Sequence, residues 1–233
     1  MPVSPGNQIY LERPQIDRLL KKAVQNPAVI VCAGAGYGKT QAVYSFVRKH
    51  PALTCWIQFS ERDNIGKRFW ENFITGVSVG NKKAAEKLAG IDFPETEREL
   101  ERYFRIPRTE TRTDESYLFV YDDFHLIHDK KVLRFLERSI TAPFSNIVSI
   151  LISRTEPAIN LETLRVRGRL GRINEDDLRF SREEIAEYFR IQNIKAPPQT
   201  VSSIYHDTEG WAFAIPLAGL SLKNAPAGAS YVP

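Results

Sequence analysis

Cys32-Ala33-Gly34-Ala35-Gly36-Tyr37-Gly38-Lys39-Thr40 is the stretch that decides how this chain folds. Ahead of it, Ala28-Val29-Ile30-Val31-Cys32 is short, β-branched and apolar, the pattern of a buried strand. Behind it, Ala42, Val43, Phe46 and Val47 recur at helical spacing between Lys39 and His50, and Pro51 ends the pattern. A strand, a glycine-rich turn and a helix opening on Gly-Lys-Thr make the setting of a phosphate-binding P-loop, or Walker A motif. Glycines at 34, 36 and 38 let the backbone curl until its N–H groups point at phosphate oxygens. The helix adds its positive N-terminal end. Lys39 is predicted to neutralise the β- and γ-phosphates, and the Thr40 hydroxyl to ligate Mg²⁺. Ala33, Gly34, Ala35, Gly36, Tyr37, Gly38 and Gln41 complete the predicted nucleotide-binding stretch, with Ala33 standing at the motif's first glycine position. The bland alternative is a glycine-rich turn with a surface lysine.

A matching acid is needed, and Tyr117-Leu118-Phe119-Val120-Tyr121-Asp122-Asp123 supplies it. This apolar run reads as a buried strand ending in two carboxylates, the Walker B pattern. Asp122 is predicted to hold Mg²⁺, and Asp123 to orient or polarise the attacking water. Asp also ends strands simply as a turn former, so the pair gains its meaning from the P-loop. The 82 positions between Thr40 and Asp122 leave room for an intervening strand. Ile147-Val148-Ser149-Ile150-Leu151-Ile152 is a further buried strand, and Arg154 just beyond it falls at the edge where open α/β sheets bind ligands. There it is expected to sense the γ-phosphate; a surface loop arginine is the alternative.

The 233 residues suffice for one α/β domain and a smaller appendage. No apolar run approaches the roughly 18 residues of a membrane span, and Met-Pro-Val opens no signal peptide. Cys32 and Cys55 both fall in strand patterns, which suits buried thiols in a reducing cytoplasm. A net charge of +4 is spread along the chain and reads as an ordinary solvated surface, not a nucleic-acid footprint. The histidines show no zinc-ligand spacing; His125 is either a turn histidine or an adjunct of the acid pair.

Residues 1–12 read as an extended leading segment, and Pro14 opens a helix carrying Ile16, Leu19, Leu20 and Ala23 on one face. Leu53 to Phe59 reads as a strand, Ser60 to Asn64 as a polar loop, and Lys67 to Val79 as a helix whose Phe69, Trp70, Phe73 and Ile74 belong to the core. Glu97 to Phe104 is expected as a short helix, and Arg108 to Glu115 as a mobile loop. Lys131 to Ile140 is helical, Leu164 to Arg169 is a short basic segment, and Arg172 to Phe180 a last edge strand. Ser181-Arg182-Glu183-Glu184 is a capping box. It opens an all-helical end with further helices over Thr200–Thr208 and Trp211–Leu222, and residues 225–230 are linker-like.

Gly34 to Thr40, Trp56-Ile57, Asp63-Asn64, Asp122-Asp123-Phe124-His125-Leu126-Ile127, Ser153-Arg154, Leu164-Arg165-Val166-Arg167 and Gly210-Trp211-Ala212 occur in this order. The set resembles the ATPase module of maltose-activator-like transcription regulators. These are large LuxR-type proteins within the signal-transduction ATPases with numerous domains (STAND). The likeness runs from about Arg13 to Lys223. It implies ATP and ADP with Mg²⁺ as ligands, an ADP-bound resting form, and an ATP-bound form that self-associates. It places Arg13 and Pro14 near the adenine. Gly210-Trp211-Ala212 replaces the glycine-leucine-proline of related ATPases, which puts an adenine contact from that region in doubt. The helical repeats and DNA-binding helix-turn-helix that such regulators carry are not in these residues, so an N-terminal piece is expected, with DNA bound only through the missing part. A free-standing P-loop protein is the alternative.

The expectation is therefore a three-layer α/β P-loop NTPase with a parallel central sheet over residues 1–180, followed by a small helical subdomain over 181–233. Its expected function is an ATP-binding switch with slow hydrolysis, in the cytoplasm and without membrane contact. A small-molecule kinase, with Arg98–Arg112 as its lid, and a direct DNA-binding protein are the rival readings.

Overall fold

The structure, a computed structural model, describes residues 11–50, 52–110, 115–142 and 144–224, without the side chains of 107–110. Five parallel strands form the sheet: β1 (Ala28–Cys32), β2 (Leu53–Gln58), β3 (Tyr117–Asp122), β4 (Ile147–Ser153) and β5 (Leu170–Ile173). Their order is β2-β3-β4-β1-β5, so β4 is the strand between the glycine-rich strand and the one ending in acids. Register aligns their ends: Cys32 lies opposite Ser153, and Tyr121 opposite Leu151. The segments after β1, β3 and β4 therefore meet at one edge.

Alternation along β1 explains the layers. Val29 and Val31 face helices α1 (Pro14–Ala23) and α2 (Lys39–Lys49), packing with Ile16, Leu20, Val43 and Phe46. Ile30 faces the other side, with α3 (Gly66–Gly80) and α6 (Lys130–Thr141), where Phe69, Phe73 and Phe135 form an aromatic core. Strands covered on both faces need such near-continuous apolar runs. The three-layer α/β architecture with a parallel sheet matches the expectation.

Several boundaries differ. Residues 61–64 form a 3-10 turn, not an open loop. An unanticipated helix, α4 (Lys82–Leu88), is capped by Asn81, whose side chain accepts from Ala84 N at 3.0 Å. Helix α5 (Glu97–Glu110) runs on past Phe104. It takes in much of the basic stretch expected as a lid, and its Leu100 and Tyr103 are buried in the α3–α6 core. The rest of that stretch, and of the loop expected at 108–115, includes residues 111–114, which lie outside the described residues, as do 1–10, Pro51 and 225–233. The basic segment at 164–169 starts as the end of α7 (Glu162–Val166). The last strand stops at Ile173 instead of Phe180, because Asn174 caps α8 (Glu175–Leu178) in a capping box with Asp177. Beyond it come α9 (Arg182–Ile191), α10 (Pro198–Thr208) and α11 (Ala214–Asn224), with a small core of Ile185, Phe189, Val201, Ile204 and Ile215. Helix α9 begins at the predicted capping box of Ser181 and Glu184. Among the described residues, no helix is long and apolar enough to cross a membrane.

Candidate nucleotide-binding site

The turn after β1 has the backbone its glycines allow. Gly36 and Gly38 adopt φ of 78° and 74°, the left-handed region that side chains disfavour. Gly38 is the N-cap of α2, so Lys39 and Thr40 open that helix. Ala33, buried, donates its N–H to the Ser153 carbonyl, tying the turn to the end of β4. The Lys39 ammonium folds back onto its own loop, donating to the Ala33 carbonyl at 2.8 Å and the Gly34 carbonyl at 2.7 Å. Burial, and then the charge of Arg154, lower its pKa. The strand-end arginine thus acts on the P-loop lysine, although its own side chain is exposed.

Thr40 Oγ1 donates to Asp122 Oδ1 at 3.1 Å. The second oxygen, Oδ2, is buried with no hydrogen-bond partner. Burial first, and the neighbouring Asp123 second, push the Asp122 carboxyl up to about 6. A hydroxyl and a buried, half-satisfied carboxylate side by side fit a hard divalent cation, which takes few protein oxygens when phosphates supply others. Asp123 follows in the left-handed region at φ 55°, where Asp is better tolerated than most residues. Its Oδ2 accepts from Gln58 Nε2 at 3.4 Å. A 3-10 turn over Phe124–Leu126 follows. Asn64 fixes that turn, donating to the Leu126 carbonyl and accepting from the N–H groups of His128 and Asp129.

The helical end reaches over this site. Trp211 Nε1 donates to the Ala35 carbonyl at 3.0 Å. A Cβ on Gly36 would fall 2.8 Å from Trp211 Nε1 and from Phe213 Cβ. Gly34 N donates to Glu175 Oε2 at 3.3 Å, and the Tyr37 hydroxyl also bonds Glu175, holding that carboxyl below its usual range. A cavity of about 330 Å³ opens beside Gly38, lined by Arg13, Gln41, Phe180, Tyr188, Gln192 and Pro216 among others. Arg13 borders it, but its guanidinium is engaged elsewhere. It pairs with Glu184 at 3.0 and 2.9 Å, donates to the Leu178 and Arg179 carbonyls, and lies over the Phe180 ring. Pro14 is the first residue of α1. Gln58 and Glu175 carried no sequence signal for this place; Asn64 and Trp211 did, as parts of the ordered motif set, although the contact of Trp211 with the loop carbonyl was not foreseen.

The chain is 27% identical over 218 residues to the HTH-type transcriptional regulator MalT of Serratia proteamaculans (strain 568), covering 91% of this chain and 24% of that protein. It is 26% identical over 213 residues to MalT of Yersinia pestis (strain Pestoides F), covering 89% and 24%. The chain is a partial homologue of the MalT regulators. It spans about a quarter of the length of these relatives. Among solved structures, a Walker-type ATPase of Pyrococcus abyssi matches with a TM-score of 0.62 at 15% identity, over 94% of this chain and 69% of that one. A STAND protein with a tetratricopeptide repeat sensor from Pyrococcus horikoshii matches at 0.62 and 13% identity, over 97% and 33%. These likenesses bear out the P-loop ATPase fold, and the MalT homology bears out the resemblance read from the motifs. No protein-family model matches the chain.

Proposed function

We propose that the chain is the ATP-binding switch module of a signal-responsive, bacterial-type transcription regulator, binding ATP and ADP and hydrolysing ATP slowly. The observation that carries this reading is the Thr40–Asp122 pair beside the Lys39 ammonium, with Asp122 Oδ2 buried and unpartnered. Phosphates enter the curl of Gly34–Thr40, where backbone N–H groups and the α2 N-terminus receive them. Lys39 exchanges its two carbonyl partners for phosphate oxygens. Thr40 and Asp122 hold Mg²⁺, which when bound offsets phosphate charge. Asp123 orients the attacking water, and Arg154 answers to the terminal phosphate. The cavity beside Gly38, between α2 and the helical end, would receive the base and ribose. Residues 1–180 act as the nucleotide-binding unit and 181–233 as the helical one. In this reading the ATP form self-associates, DNA is contacted by a separate helix-turn-helix of such a regulator, and the protein is cytoplasmic.

Calorimetry with Mg-ATP and Mg-ADP tests it. Both are expected to bind, and Lys39→Ala is expected to lose about tenfold or more in affinity, since hydrogen bonds to charged groups are worth roughly 1.5–3 kcal/mol. Unchanged affinity in a folded Lys39→Ala protein overturns the assignment.

A further inference from the structure

The rim of the glycine-rich loop is held from outside at three nearby points. Glu175 Oε2 accepts from Gly34 N at 3.3 Å, the Ala35 carbonyl accepts from Trp211 Nε1 at 3.0 Å, and the Tyr37 hydroxyl bonds Glu175 again. None of these bonds uses the N–H groups at the start of α2, the donors that phosphate oxygens need. Glycine backbones are free, and Gly36 and Gly38 stand at positive φ within this stretch. Holding the rim therefore shapes the loop without drawing on its phosphate-side donors.

One side chain joins these outer contacts. Arg179, just past α8, reaches Glu175 Oε1 at 3.5 Å, Asp176 Oδ1 at 3.2 Å, and the carbonyl and Oε2 of Glu209 at 3.0 and 2.9 Å. Its guanidinium also lies 5.9 Å from the centre of the Tyr37 ring. Glu209 and Gly210 take φ of 48° and 76°, and the turn they make carries Trp211 to the loop. That turn is seated on Phe180, whose N–H donates to the Gly210 carbonyl at 2.8 Å, and the Phe180 carbonyl leaves no room for a Cβ on Gly210. Arg179 thus ties the carboxylate that holds Gly34 to the turn that holds Ala35, across 30 positions of sequence. Exposed ion pairs contribute little to stability, so what this planar fork supplies is position.

We propose that Glu175 and Arg179 are positioning residues of the nucleotide site: Glu175 holds the loop in its phosphate-receiving curl, and Arg179 links that hold to the turn bearing Trp211. Neither touches the nucleotide. Ordering the loop beforehand raises affinity by removing that ordering from the binding step. The coupling is reciprocal, so bound nucleotide firms the helical end by the same factor. The proposal rests on the nucleotide-binding reading above and names side chains that act on that site from outside. A merely structural network predicts something else: altered stability, with the affinity of the folded protein unchanged.

The test combines calorimetry with Mg-ADP, thermal unfolding without nucleotide, and hydrogen exchange with and without Mg-ADP. Glu175→Ala is expected to bind Mg-ADP about tenfold more weakly, with little change in its unfolding midpoint. Glu175→Gln keeps an oxygen for Gly34 N and is expected to restore most of that loss. In the wild type, Mg-ADP is expected to slow exchange in α10 and α11 as well as in the P-loop; in Arg179→Ala it slows the P-loop alone. Glu209→Asn suits the left-handed backbone and breaks the same link from its far end, so it stands in if Arg179→Ala does not fold. Unchanged affinity in a folded Glu175→Ala, a Gln variant no better than Ala, or protection of α10 and α11 that persists without the link overturns the proposal. Failure of the wild type to bind Mg-ADP overturns instead the reading on which it rests.

Discussion

The Thr40 hydroxyl and the Asp122 carboxylate meet at 3.1 Å, joining the first turn of α2 to the last residue of β3. Without a cation, this arrangement works against the fold. Asp122 is pushed from an ordinary 3.8 to about 6, so the folded state disfavours its charged form. The cost is absent below the unfolded value, grows as pH rises between about 4 and 6, and is fully present above that window. Asp122→Asn removes the buried charge. In EDTA at pH 7.5 that variant is expected to be more stable than wild type by about 1–3 kcal/mol, with the gain fading toward pH 4. It is also expected to lose Mg²⁺-dependent nucleotide affinity. Denaturant unfolding at the two pH values checks the first half and calorimetry the second. A variant less stable at pH 7.5 contradicts the stated balance.

Arg13 is expected to matter for stability more than for ligand contact. Its guanidinium makes a two-pronged pair with Glu184 and bonds to two carbonyls, all part-buried, across 165 to 171 positions of sequence. Removing one member of a buried pair leaves the other uncompensated, a loss of about 3–5 kcal/mol when burial is complete and less here. Arg13→Ala should therefore lower the unfolding midpoint strongly. Arg13→Ala combined with Glu184→Ala should cost less than the sum of the two single changes, a coupling that a double-mutant cycle reads directly. Additive effects would mean that the pair contributes nothing.

Trp211 gives the helical end a direct hold on the P-loop. Trp211→Phe keeps a ring over Gly36 but leaves the Ala35 carbonyl without its donor, at a cost of about 0.5–1.5 kcal/mol. Nucleotide entering the loop as proposed would change the surroundings of this indole, whereas Trp56 and Trp70 are buried in the core. A fluorescence change on adding Mg-ATP is therefore expected in the wild type and absent in Trp211→Phe. Its persistence in the variant would assign the signal to the core tryptophans.

What the sequence reveals and what it hides divide along a physical line. β1, the P-loop and α2 are legible because strand pattern, glycines and the Gly-Lys-Thr helix start agree over neighbouring residues. β3 with Asp122 is legible for the same reason, and so is α9, which announces itself by its capping box. Helix α4 is hidden because Lys82-Lys83-Ala84-Ala85-Glu86-Lys87-Leu88 is short and charge-rich, with little apolar periodicity. The end of β5 is misplaced because Arg172 to Phe180 can be read as continuous strand, although Asn174 and Asp177 stand at capping-box spacing. The contacts between the two ends of the chain leave no trace in local pattern. Glu184 binding Arg13, Trp211 binding Ala35 and Glu175 binding Gly34 are set by tertiary packing across more than a hundred positions.

In the proposed function, Asp123 separates binding from cleavage. It sits one residue past Asp122, turned by a left-handed backbone, with Gln58 on its Oδ2. Asn tolerates that backbone about as well as Asp, so Asp123→Asn is expected to fold normally. It also keeps an acceptor for Gln58 while losing the charge proposed to orient and polarise water. Positioned acid–base groups contribute about 10²–10⁴-fold, and single-turnover hydrolysis is expected to slow within that range while Mg-ATP still binds. A ligand that prefers one conformer shifts the population for as long as it stays bound, so a regulator carrying this variant should accumulate in its ATP form and be more active, not less. Equilibrium binding and single-turnover cleavage, measured together for Asp122→Asn and Asp123→Asn, check the division. Lost binding in Asp123→Asn, with normal binding and slow cleavage in Asp122→Asn, would exchange the two roles.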